Sequence, residues 1–65
     1  MQEEQQIVVP VQLTAALAWA LAQLVKRLGY SDCRLLAEDE DQTWLMLVAA
    51  ERLRRALAEA GYEPR

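Results

Sequence analysis

Only four residues in this chain break helices, Pro10, Gly29, Gly61 and Pro64, and their positions divide it. The runs between them, 11–28 and 30–60, are rich in strong helix formers, with Leu and Ala occurring eleven times each. The spacing predicts a mainly α domain of three helices. Thr14 is placed to cap a first helix over 15–28, its hydroxyl accepting from first-turn amides, with Gly29 as a left-handed stop. Ser31 is placed to cap a short second helix over 32–37. A third helix is expected over about 40–60, ended by Gly61. Upstream, Ile7-Val8-Val9-Pro10-Val11 is β-branched but interrupted by proline. Residues 6–12 are therefore expected as an extended segment or a short edge strand. No second strand is available inside the chain to pair with it. Residues 1–65 read as a single domain, with 1–6 and 62–65 as loose ends and Tyr62 placed to pin the tail.

A chain of 65 residues can bury one small core. In the first helix Leu17, Leu21, Leu24 and Leu28 share a face at 4-3-4 spacing, and Ala15, Trp19 and Ala22 line a second. That helix is apolar around most of its circumference and is expected at the centre. Leu35 and Leu36 are expected to point inward from the second helix. In the third, Met46, Ala50, Leu53, Leu57 and Ala60 form a stripe that Trp44, Leu47 and Val48 widen. Trp19 and Trp44 read first as core anchors; exposed beside acidic residues, Trp44 would become an interface anchor. The run Leu13–Val25 makes about 20 Å of helix, short of a bilayer core of about 30 Å, so no membrane span is expected. The acidic start Met1–Gln6 lacks the Lys or Arg of an export signal, which makes the cytoplasm the expected compartment.

Composition removes several chemistries. There is no histidine and one cysteine, so imidazole-based catalysis, ordinary zinc sites and an internal disulfide are excluded. Cys33 has no histidine to serve as its base and reads as a small buried or half-buried apolar residue. A domain this small offers little concave surface for a substrate, so no enzyme activity, catalytic residue, cofactor or metal is expected.

The net charge of −3 hides an uneven distribution. Asp32, Glu38, Asp39, Glu40 and Asp41 lie within ten residues, against Arg34 alone. The plain explanation is local: carboxylates at a helix N-terminus gain about 0.3–1 kcal/mol each from the dipole. The functional one is an acidic face that docks on a basic surface. A calcium loop starting at Asp39 would need glycine at its sixth position and glutamate at its twelfth; Trp44 and Ala50 stand there. Arg52, Arg54 and Arg55, with Lys26, Arg27 and Arg34, suggest a nucleic-acid face. A recognition helix would however present Asp39-Glu40-Asp41 to phosphates, so no direct nucleic-acid binding is expected.

Ala18-Trp19-Ala20-Leu21-Ala22-Gln23, then Lys26-Arg27, Gly29 and Ser31, resembles a family of short uncharacterised proteobacterial and mobile-element proteins with an AWALAQ-x-x-KR-x-G-x-S core. The ending Ala56-Leu57-Ala58-Glu59-Ala60-Gly61-Tyr62 with Pro64-Arg65 is similar to the same family's ALAEAGY-x-PR. The resemblance implies no activity or catalytic residue. In size and charge alone the chain is also similar to small acidic anti-CRISPR proteins, a class analogy without a shared motif. The function expected is a non-enzymatic protein–protein interaction module, an anti-CRISPR-like inhibitor acting as a DNA mimic. Its acidic face, Asp32, Glu38, Asp39, Glu40 and Asp41, would meet a basic nucleic-acid-binding surface of a larger protein, such as a CRISPR effector subunit. The alternatives are a structural or regulatory homodimer, with Ile7–Val11 as a ribbon across the dyad, and a DNA-binding regulator using Arg52, Arg54 and Arg55.

Overall fold

A computed structural model describes residues 5–65; of the loose N-terminal residues expected, 1–4 lie outside it. Three helices form: α1 Ala15–Arg27, α2 Tyr30–Leu36 and α3 Glu40–Glu59. Residues 5–14 are irregular, and no strand occurs among the described residues. The proline leaves Ile7–Val11 without a ladder, and its large side chains face outward.

The central element is α3, not α1. Both α1 and α2 pack on α3 and neither packs on the other. Twenty residues give α3 a length of about 30 Å, enough to seat the two shorter helices one after the other. On its C-terminal half, Leu57 packs with Ala18, Ala22 and Val25 of α1, and Leu21, Leu28 and Tyr62 close around them. Alanines four residues apart present little bulk, so α1 meets α3 on its small-residue stripe. The leucine stripe expected to lead the core is thereby turned aside: Leu21 and Leu28 are half-buried, whereas Leu17 and Leu24 face solvent.

On the N-terminal half of α3, Thr43 and Cys33 are the buried pair of positions. Of the two states expected for Cys33, buried or half-buried, the structure shows the first. Thr43 is fully buried, and its hydroxyl donates to the Asp39 carbonyl at 2.9 Å, which removes the cost of hiding it. Leu35 and Leu36 do not point inward. A seven-residue helix that turns Cys33 toward α3 points Leu35, two positions on, the other way, and it is 86% exposed.

The caps explain the boundaries. Thr14 Oγ1 accepts from the Leu17 amide at 3.2 Å, as expected. Gly29 is not left-handed: at φ −119° it is extended and serves as the N-cap of α2, displacing Ser31 from that part. Its N–H donates to the Asp32 carboxylate at 2.9 Å, the reciprocal half of a capping box, and glycine has no side chain to supply the other half. Asp39 caps α3 by accepting from the Gln42 amide at 2.8 Å. Gly61 does stop α3 in the left-handed region, at φ 102°. The Tyr62 amide then donates to the Leu57 carbonyl at 2.8 Å and sets the Tyr62 ring against Trp19 edge-on, centroids 5.1 Å apart.

Candidate interaction surface

The acidic run folds into the corner between α2 and α3, and most of it is already engaged there. Asp32 and Asp39 are the caps just described. Glu40, in the first turn of α3, accepts from the Tyr30 hydroxyl at 2.8 Å and from Trp44 Nε1 at 3.2 Å. The Arg34 guanidinium stands 3.8 Å from the same carboxylate. The Tyr30 and Trp44 rings tilt together at 5.3 Å. Glu40 therefore ties α2 to α3, and its hydrogen bond raises the Tyr30 phenol above its ordinary pKa, because ionisation would set two anions together. All five carboxylates remain exposed. Of these five, the carboxylates of Glu38 and Asp41 make no hydrogen bond or ion pair among the described residues.

Trp19 and Trp44 are edge residues, not core anchors; Trp44 is 54% exposed. Each packs against a tyrosine, Trp19 edge-on and Trp44 at a tilt, and stays partly exposed. The small inward stripes of α1 and α2 have no depth to swallow an indole.

The outward face of α3 carries exposed apolar surface near that corner. Trp44, Leu45 and Val48 share it, with Val48 51% and Leu45 61% exposed. Asp41 lies at its N-terminal end and Arg52 and Arg55 at its C-terminal end. Three shallow hollows meet at Val48: one is bounded by Trp44, Leu47 and Arg55, one by Leu45 and Asp41, and one by Ile7 and Ala49. Beside this face Arg54 grips Glu51 with two bonds, at 2.6 and 3.0 Å, and Arg55 Nε stands at 3.5 Å. The Glu51–Arg55 pair is thus the looser of the two. The bond from Arg54 holds the Glu51 carboxyl below its ordinary pKa.

A family model matches residues 1–65. The chain belongs to DUF7706, a family of unknown function. No curated protein and no solved structure matches it. Among the described residues of this DUF7706 chain no helix is long and apolar enough to cross a membrane. Sequence reasoning missed Thr43 as the buried position of α3, since a lone threonine in a helix reads as surface. Its signal was position: Thr43, Ala50 and Leu57 recur every seven residues on one face. It also missed Glu40 as the link between α2 and α3, because charge counting does not separate a carboxylate with three neighbours from one with none.

Proposed function

We propose that this DUF7706 protein is a cytoplasmic, non-enzymatic protein–protein interaction module whose docking surface is the apolar outer face of α3. One observation carries the reading: Trp44, Leu45 and Val48 lie together on the outer face of α3 and are 54%, 61% and 51% exposed. Contiguous apolar surface of this kind marks interaction sites.

A second reading keeps the acidic corner as the docking face, with the protein an anti-CRISPR-like inhibitor that occupies a basic nucleic-acid-binding groove. The exposed carboxylates of Glu38 and Asp41, free of partners among the described residues, support it. Asp32, Asp39 and Glu40 are better explained by the caps and the α2–α3 link.

Photo-crosslinking in producing cells separates the two. A benzoylphenylalanine in place of Val48 is expected to form protein adducts, and one in place of Glu38 is not. Adducts at Glu38 alone would move the docking face to the acidic corner. Adducts at neither position would remove the interaction-module reading.

A further inference from the structure

We infer that the partner on the outer face of α3 is a second copy of the same chain, paired antiparallel about a two-fold axis at Val48. This deepens the interaction-module reading and rests on it. The argument begins with spacing. Asp41 lies seven residues before Val48 and Arg55 seven after it, about 10.5 Å either way along the helix. Seven residues are close to two turns, so all three share one face. Trp44 and Arg52 stand four residues before and after, and flank the same line.

An isologous interface requires a surface that complements itself: if one residue meets another across the dyad, the reverse contact exists too. Antiparallel pairing about Val48 meets this condition. Asp41 comes opposite Arg55 of the second copy, at both ends of the interface. Val48 meets Val48 at the axis. Trp44 comes opposite Arg52, whose aliphatic stem covers apolar surface and whose guanidinium stacks on an indole face; Leu45 comes opposite Glu51, whose charge Arg54 already pairs within the same chain. Parallel pairing would instead set Asp41 on Asp41 and Arg55 on Arg55. The open leucines of the other two helices, Leu17 and Leu24 on α1 and Leu35 and Leu36 on α2, lie on faces with no such charge symmetry.

Ile7 borders the hollow beside Val48, so the segment before α1 would be covered together with the stripe.

Charge exchange tests the pairing. Light scattering or sedimentation of the purified chain at micromolar concentration is expected to give twice 7.4 kDa. D41R and R55D each turn two attractions into repulsions, and each should weaken the dimer on the order of tenfold. The D41R/R55D double variant restores attraction with the signs exchanged and should recover to within about threefold of the parent. Helix-dipole energetics predict the reverse order, since the double variant places the wrong charge at both ends of α3. Recovery therefore cannot come from helix stability. A separate measurement serves if the charge variants fold poorly. V48C puts a thiol on the axis and should oxidise to a covalent dimer, whereas L24C and the parent, whose Cys33 is buried, should not. A parent that stays at 7.4 kDa, a double variant no better than its singles, or equal crosslinking of V48C and L24C would overturn the proposal. If the purified chain is monomeric yet Val48 adducts to larger proteins appear in cells, the second copy is excluded and the interaction module stands. If neither appears, both readings fall.

Discussion

The two halves of α3 hold their neighbours by different means. At the C-terminal half, α1 is held by Ala18, Ala22, Val25 and Leu57, with no ion pair across the contact among the described residues. At the N-terminal half, α2 is held around a fully buried threonine and a small thiol, with Glu40 gathering Tyr30, Arg34 and Trp44 at the rim. The difference separates stability from placement. Apolar contact supplies the larger energy but tolerates sliding, since one methyl is much like another. Hydrogen bonds to one carboxylate contribute less and fix where a seven-residue helix sits.

The comparison can be broken most decisively at Leu57. Leu57→Ala should cost about 3 kcal/mol, within the usual 2–5 for a buried leucine, and most of the small fold's stability. Far-UV circular dichroism during thermal unfolding measures it. A loss under about 1 kcal/mol would mean that the α1 contact is not where stability resides. Next, Asp39→Ala removes a cap from the polar half and should cost about 1 kcal/mol in the same assay.

Protonation sharpens the contrast further. Glu40→Gln leaves an acceptor for Tyr30 but removes the charge, so the Tyr30 phenol should titrate at lower pH than in the parent, as followed by NMR of its ring. The sign for stability follows from the raised folded-state pKa. The contribution is complete below the ordinary phenol range and is lost as pH rises through the raised value. Glu51 behaves oppositely: its lowered carboxyl contributes above the ordinary carboxylate range and loses that as pH falls through the lowered value. The polar half should therefore loosen first in alkali. An unchanged Tyr30 titration in Glu40→Gln would separate Glu40 from the α2 joint. The smallest effect belongs to Leu35→Ser, expected within about 0.5 kcal/mol because its side chain already faces water.

Three helices, the Thr14 cap and the Gly61 stop were legible from sequence because each is a local matter of propensity and capping. The choice of inward face was not. Leucines at 17, 21, 24 and 28 outscore alanines at 18 and 22 on any hydrophobic scale, yet close approach selects the alanines. Gly29 shows a related ambiguity. Glycine suits both a left-handed stop and an N-cap, and Asp32 three residues on decides for the cap. The acidic residues are close together in the sequence, but their division into caps, the α2–α3 link and free carboxylates depends on which helix starts where. The self-complementary pattern around Val48 is present in the sequence as spacing. It acquires meaning only once α1 and α2 are seen to leave that face open.

The two tryptophans have a practical consequence. Trp19 rests on Tyr62 at the α1 contact, and Trp44 rests on Tyr30 at the α2 contact. Each joint thus carries its own fluorophore. Replacing one indole with phenylalanine leaves emission that reports on the other joint alone. The release of α1 and of α2 can then be timed separately in a single unfolding experiment.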